Sequence, residues 1–323
     1  MLLLIGSGPM AVEYAKVLKA QQREFLVVGR GTASAAAFTE KTGVAVVPGG
    51  LDRAIASQAV AGATSAIVSV GVEALFDTSM ALLGAGVKQL LIEKPGVLHP
   101  EQLAPLRLAA QQAGARVCIA YNRRFLASVR RARQIIEADG GLTSFTFDFT
   151  EWGHEIVTLT KAPGVKERWL LGNSSHVLDL AFFLGGSPAQ LNAAHAGALD
   201  WHPAGAVFVG SGQTASGTLF SYHADWSAPG RWGLEFCTAL HKLILRPMEK
   251  LQVMRKGSVQ IEEVAADPED ARLDIEFKPG LYRQVEAFFS AESDALCTLD
   301  ELVGNMGHFC TIAGYSNAGT GPA

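Results

Sequence analysis

Two short segments of the 323-residue chain carry residue types suited to binding and proton transfer. Gly6-Ser7-Gly8-Pro9-Met10-Ala11 is a GxGxxA turn directly after the apolar run LLLI and before a helical pattern. Its first glycine permits a tight turn and its second lets backbone approach a pyrophosphate. The small third residue lets helix and strand pack closely, and the helix N-terminus faces the phosphates. A glycine turn needed only for packing is the other reading, although two glycines there give up backbone entropy that packing rarely requires. The second segment is IEKPG. Pro95 pushes Lys94 out of the helical region and ends the strand, so Lys94 is expected at the carboxyl edge of the sheet, where such folds place ligands. Its ammonium can hydrogen-bond a substrate oxygen and relay a proton; an exposed lysine at a strand end is the plain alternative.

A dinucleotide site usually carries an acidic residue at the end of the second strand, which accepts from the ribose 2′-hydroxyl and repels a 2′-phosphate. This chain has FLVVGRG there, with Gly29 and Arg30 followed by Thr32 and Ser34. A guanidinium presents paired donors and a flat face, suited to both phosphate and adenine. NADP(H) is therefore expected in preference to NAD(H), against the reading of Arg30 as a solvated loop residue.

The elements that must position these groups follow from the pattern. Runs at LLLI, FLVV, AIVSV, QLLIE and RVCIAY alternate with helical segments, and Ala11, Tyr14, Ala15 and Leu18 share one face of the first helix. Continuous apolar strands joined by helices predict a doubly wound parallel sheet, covered on both sides. After Tyr121 the pattern changes. LASVRRARQIIEA predicts a helix, and in LTSFTFDFTEW Phe145, Phe147 and Phe149 alternate with Thr146, Asp148 and Thr150. AVFVG, TASGTLFSYHADW, LEFCTA, KLILR, LQVMRKG and SVQIEEV add extended runs, predicting a large open, mainly antiparallel sheet with one covered face. Two helices, LYRQVEAFFSA and LDELVGNMGHFCTIAGY, close the chain, the second with Thr298 and Glu301 spaced as a capping box. The expected division is a Rossmann domain over 1–122 and an α+β domain over 123–315, whose last helices pack back on the first, with 316–323 a flexible tail.

Bulk properties bound the function. The formal net charge of −4 is small and spread, with no basic block, so neither nucleic acid nor a membrane surface is expected as partner. MLLLI is too short for a signal segment, and no stretch approaches the ~20 apolar residues of a membrane span. Cys118, Cys237, Cys297 and Cys310 are scattered without a CxxC pair, which predicts structural thiols in a reducing, cytoplasmic setting. His195, His202, His223, His241 and His308 lack paired ligand spacing, so no metal site is assigned. No GxSxG nucleophile is present.

GSGPMA, IEKPG, AYNRRF and GNSSHVLDLAFFL occur in that order, and with them the sequence resembles the Gfo/Idh/MocA family of oxidoreductases over nearly its whole length. The resemblance implies hydride transfer between a nicotinamide and a carbinol carbon, usually on a sugar or polyol. Hydride leaves carbon only as the hydroxyl loses its proton, and a positioned acid/base contributes ~10²–10⁴-fold. By position, Lys94 matches the lysine that polarises the reacting oxygen and His176 the acid/base partner, with Glu93 near the nicotinamide ribose. Gly6, Ser7, Gly8, Pro9, Met10, Gly29, Arg30, Val70, Glu93 and Lys94 are the expected cofactor contacts. Lys94, Tyr121, Arg124, Trp152, Asn173 and His176 are the expected substrate contacts, Tyr121, Asn122 and Arg124 lying where the chain crosses between domains. Where the family commonly has Asp four residues before the histidine, this chain has Gly172, with Asn173 next. In a helix Asn173, His176 and Leu180 share a face; helix capping is the other role open to Asn173, and the expected one for Ser174 and Ser175. Asp179 is expected to be structural, and Trp152 and His154 to share one side of a strand that continues the phenylalanine ladder. Arg168 and Trp169 are further candidates for substrate contact. A sugar, free or nucleotide-linked, is the expected substrate, and a homodimer or homotetramer the expected assembly. A cofactor or sugar sensor without catalysis, and a reductase of a non-sugar substrate, are the competing functions.

Overall fold

Strands without polar alternation must be buried on both faces, and the first third of the chain obeys this. The computed structural model describes residues 1–290 and 294–315. It forms β1 (Leu2–Ile5), β2 (Phe25–Gly29), β3 (Val46–Pro48), β4 (Ser65–Val68), β5 (Gln89–Glu93) and β6 (Arg116–Ala120). Between them run α1 (Pro9–Ala20), α2 (Thr32–Thr42), α3 (Gly50–Ala56), α4 (Leu75–Gly84) and α5 (Leu103–Ala113). The strands lie in the order β3-β2-β1-β4-β5-β6, all parallel. The two-residue strand Cys297–Thr298 pairs antiparallel with β6 at the edge. Leu3, Leu4, Ile67 and Leu91 are fully buried in this sheet, and Tyr14, Ala15 and Leu18 on α1 complete the packing. Strand order reverses between β1 and β4, which places a ligand crevice at their carboxyl ends. Met1–Tyr121 and Leu281–Gly304 form this first unit.

The second unit is Asn122–Gly280 with the chain from Asn305 on. It contains α6 (Ala127–Ala138), β7 (Ser144–Asp148), α7 (Gly153–Ile156), α8 (Ser175–Gly185), β8 (Pro188–Ala196), β9 (Val207–Thr214) and β10 (Leu219–Asp225). β11 (Gly233–Cys237), β12 (His241–Leu245), β13 (Gln252–Arg255), β14 (Ile261–Glu263) and α9 (Pro268–Glu276) follow. The eight strands form one sheet in the order β14-β13-β12-β11-β7-β10-β9-β8. Only β7 and β10 pair in parallel; the other neighbours are antiparallel. Phe145, Phe147 and Phe149 are buried, and Phe182 of α8 meets Phe147 edge-on at 5.9 Å between ring centroids. Thr146 on the opposite face is exposed, so helix cover is one-sided, as the alternation predicts.

Several elements differ from expectation. Trp152 and His154 do not continue β7: the strand stops at Asp148, whose carboxylate accepts from the Thr150 amide at 2.8 Å, and the chain turns into α7. Gly153 packs so closely on the Trp226 carbonyl that a Cβ would collide with it. β8 has no sequence signal because it is an edge strand whose residues are mostly exposed, so no apolar alternation is demanded of it. α9 was equally hidden in an acidic stretch; it is started by Asp267, which accepts from the amides of Glu269 and Asp270 at 2.9 and 3.1 Å. The final helix, Leu299–Ala313, begins where Thr298 Oγ1 accepts from the Glu301 amide at 3.1 Å, one arm of the anticipated capping box. The expected tail 316–323 and Ala291 lie outside the described residues. Among the described residues, no helix is long and apolar enough to cross a membrane.

Candidate functional site

The GxGxxA turn sits at the carboxyl end of β1, and its glycines serve different ends. Gly6 adopts φ +119°, and a Cβ there would run into the Ser69 carbonyl at the end of β4. That glycine is required by the fold itself. Gly8, the residue capping α1, has an ordinary φ of −84°, and a Cβ built on it meets nothing within 4 Å. Neither conformation nor packing demands a glycine at this position, whereas close approach of a ligand would. The first turn of α1 carries no acidic residue and starts with Pro9, so its unpaired amides favour an anion. These observations fit a dinucleotide pyrophosphate.

Ser7 Oγ hydrogen-bonds Ser34 Oγ at 3.0 Å, and Ser34 in turn donates to the Gly31 carbonyl at 3.0 Å, tying the turn to the start of α2. Arg30, exposed at the end of β2, lies beside Gly50 with side-chain carbons 3.8–3.9 Å from where a Cβ of that residue would be. Val70 is half-buried just beyond β4. Glu93 ends β5, and its Oε1 accepts from Tyr14 Oη at 2.7 Å. Gln284 Oε1 lies 3.5 Å from the same phenol oxygen. Burial, then the charge of Glu93 and this hydrogen bond, push the Tyr14 phenol well above its ordinary pKa, so it stays a donor. Lys94 follows directly, half-buried. Tyr121 is buried at the end of β6.

In the second unit a cavity of about 340 Å³ is walled by Arg123, Glu151, Trp152, Trp169, Asn173 and Trp232, among others. Its buried carboxylate is Glu151. Glu151 Oε1 accepts from Asn173 Nδ2 at 2.8 Å and from Ser174 Oγ at 2.7 Å. The capping expected of Ser174 and Ser175, and left open for Asn173, is therefore not what those side chains do: Ser175 Oγ donates to the Leu171 carbonyl at 2.6 Å, and no side chain caps α8. The physical reason is that α8 is entered through the π-helical turn Leu170–Ser174, so its first amides have helical partners already. His176 is 5% exposed, and its ring lies 6.3 Å from that of Trp232 on the cavity wall.

Arg123 and Arg124 part company. Arg124 is fully buried and binds Asp179 through two hydrogen bonds, Nε to Oδ2 at 2.8 Å and Nη2 to Oδ1 at 2.6 Å, with Phe183 4.6 Å beneath the guanidinium. Its surroundings make it structural, and the arginine that reaches the cavity is Arg123, 4.9 Å above the Trp232 ring. Burial lowers the Arg123 pKa, opposed by Glu249 and Glu151. Arg123 Nε and Trp169 Nε1 are buried without a hydrogen-bond partner among the described residues. Trp152 is 46% exposed, held by its indole N–H donating to the Gly230 carbonyl at 2.8 Å. Arg168 lies over Tyr315 at 4.6 Å. His202 is satisfied within the core by the Gly205 carbonyl and the Tyr315 hydroxyl, each at 2.8 Å, and burial lowers its pKa.

Sequence reasoning did not find Arg123, Glu151, Arg231, Trp232 or Glu249. Glu151 beside Trp152 and the Arg231-Trp232 pair in a Gly/Pro loop were visible, but only tertiary contact unites them. Residues 2–121 match the model of an oxidoreductase family with an NAD-binding Rossmann fold, Gfo/Idh/MocA. No curated protein matches the chain in sequence. Among solved structures it is similar in fold to an NAD-binding oxidoreductase from Klebsiella pneumoniae, at 18% identity and TM-score 0.75 over 96% of this chain and 95% of that one. Levoglucosan dehydrogenase in complex with NADH and L-sorbose aligns at 17% identity and TM-score 0.76, covering 97% and 96%. UDP-N-acetylglucosamine 3-dehydrogenase from Acidithiobacillus ferrooxidans aligns at 15% and 0.73, covering 97% of each chain.

Proposed function

Given that residues 2–121 carry the NAD-binding Rossmann fold of the Gfo/Idh/MocA oxidoreductases, we propose that the protein is an NADP(H)-preferring dehydrogenase acting on a hydroxyl or keto carbon of a sugar. The observation that carries the sugar reading is the Glu151 carboxylate, buried in a cavity and oriented by two donors. A charged acceptor flanked by an amide, a guanidinium and indole rings is suited to a neutral, hydroxyl-rich ring: the polar groups take hydroxyls and the aromatics take the C–H faces. Levoglucosan dehydrogenase and UDP-N-acetylglucosamine 3-dehydrogenase, both similar in fold, support the class.

Gly8 and the N-terminus of α1 would hold the pyrophosphate, Arg30 the adenosine 2′-phosphate, and Glu93 the nicotinamide ribose. The nicotinamide, when bound, would supply the hydride acceptor or donor. The chain's own part is to bind the sugar and handle the proton. Lys94 donates a hydrogen bond to the reacting oxygen, which favours the alkoxide as the C–H bond weakens. His176, whose imidazole can accept and donate a proton, takes the hydroxyl proton in oxidation and returns it in reduction. Arg123, Glu151 and Asn173 fix which hydroxyl is presented, and a misplacement of 1 Å would cost about 10²-fold.

NADP⁺ reduction and NADPH oxidation with a small-metabolite extract test this directly. Turnover is expected in wild type and lost in Lys94→Ala and His176→Ala, both still binding cofactor. Turnover unchanged within a few-fold in both variants refutes the mechanism. Arg30→Ala is expected to weaken NADPH relative to NADH, and an unaltered ratio would refute the 2′-phosphate assignment.

A further inference from the structure

Beside the Glu151 cavity lies a second hollow, and the mechanism above makes no use of it. It is a groove of about 760 Å³ lined by Trp152, His154, Asp200, Trp201, Trp226 and Ala228, among others. Trp152 also walls the first cavity, so the two share one indole. That indole is held in place: its N–H donates to the Gly230 carbonyl, the Arg231 guanidinium lies 4.9 Å from its ring centre, and the His154 ring lies at 6.4 Å, inclined by 27°. A tryptophan this exposed, with its only donor already satisfied, has nothing left to offer a ligand but aromatic surface. Trp201 and Trp226, stacked on each other at 5.7 Å and 6°, are both buried and support the groove from behind, so the open aromatic surface is that of Trp152.

On the basis of the sugar reading above, we infer that the groove is a second sugar subsite, and that the substrate is a glycoside of at least two rings. The reacting ring occupies the Glu151 cavity; an uncharged ring joined to it lies on Trp152 in the groove. Three observations carry this. Both hollows are within the roughly 300–1,000 Å³ of small-ligand sites, and both border on the Trp152 indole, which makes them neighbours. The groove lining includes no lysine or arginine and one carboxylate, Asp200. A phosphate or pyrophosphate there would meet the Asp200 carboxylate with no lysine or arginine of the lining to offset it, which favours an uncharged occupant. Finally, the exposed Trp152 indole with the Asp200 carboxylate and the loop Ser227–Gly230 matches the alternating apolar faces and hydroxyl edges of a pyranose. Binding energy from the remote ring would then be spent on orienting the reacting one, so truncated substrates lose kcat as well as affinity.

The test compares monosaccharides with their α- and β-linked disaccharides, and with nucleoside-diphosphate sugars, as substrates for NADP⁺ reduction. Wild type, Ala228→Trp, which fills the groove away from the first cavity, and His154→Ala, an exposed change that leaves folding intact, are run together. At least one disaccharide is expected to exceed its constituent monosaccharide at least tenfold in kcat/KM. Ala228→Trp should erase that advantage while changing monosaccharide turnover less than twofold, and His154→Ala should reduce it in part. Equal loss for both sugar sizes, or no disaccharide advantage in wild type, overturns the subsite. Best turnover with a nucleoside-diphosphate sugar, insensitive to Ala228→Trp, overturns it while leaving the sugar dehydrogenase standing. No saccharide of any size turned over removes both. Light scattering is run on the same samples: dissociation of an oligomer by Ala228→Trp would make the groove a subunit contact and overturn the inference.

Discussion

Asp179→Asn isolates what the ion pair under α8 contributes. The Arg124 and Asp179 side chains are 1% and 2% exposed, and the guanidinium meets the carboxylate in a two-bond fork. Asparagine has the same shape but no charge, and it offers one acceptor in place of two. The guanidinium remains charged, because its pKa is too high for neutralisation to relieve it. Removing one partner of a buried pair costs about 3–5 kcal/mol. At ~2–4 °C per kcal/mol for a unit of this size, the midpoint should fall by roughly 6–20 °C. The assay is thermal unfolding by calorimetry alongside urea titration, since unequal probes would expose unfolding of the two units in separate steps. The control is Arg124→Met with Asp179→Leu, which removes both charges and should recover most of the loss. A midpoint within about 3 °C of wild type for Asp179→Asn, roughly 1 kcal/mol, would refute the ledger. Intact stability with lost turnover would show instead that Asp179 serves the chemistry.

Three further perturbations probe the site. Gly8→Ala should leave stability within about 1 kcal/mol, because neither φ nor packing demands glycine there; dinucleotide affinity by calorimetry should fall tenfold or more, and unchanged affinity would remove the pyrophosphate from that turn. Glu151→Gln replaces the acceptor of two hydrogen bonds, each worth ~1.5–3 kcal/mol when charged. Its kcat/KM for sugar should fall at least tenfold with cofactor affinity unchanged, and parallel loss of both would indicate a folding defect. Tyr14→Phe unties Glu93 and should raise the KM for cofactor more than it lowers kcat. Since the phenol pKa is raised in the folded state, the native form holds its proton more tightly than the unfolded chain. That stability is complete below the ordinary value of 10.0 and is lost as pH climbs above it. Wild type should therefore weaken more steeply than Tyr14→Phe in melts above pH 10, and equal slopes would deny the phenol this role.

Much of the first unit is legible in the chain because its signals are local. A buried parallel strand needs an unbroken apolar run, and a turn at φ +119° needs glycine; LLLIGSG states both within seven residues. The phenylalanine ladder is equally plain, since a one-sided sheet must alternate. Where burial makes no demand, the chain is silent: β8 is an exposed edge and α9 an acidic stretch, so neither had to carry a pattern. The site divides in the same way. Lys94 and His176 stand in recognisable segments, but nothing in RRF tells which arginine turns inward. That is decided by Asp179, 55 residues further on from Arg124, whose carboxylate captures it and leaves Arg123 for the cavity. Glu151 is likewise defined by donors that arrive from the entrance to α8. Hydrophobic pattern propagates along the chain and can be read there, whereas the pairing of buried charges acts through space and exists only once the fold has brought the partners together.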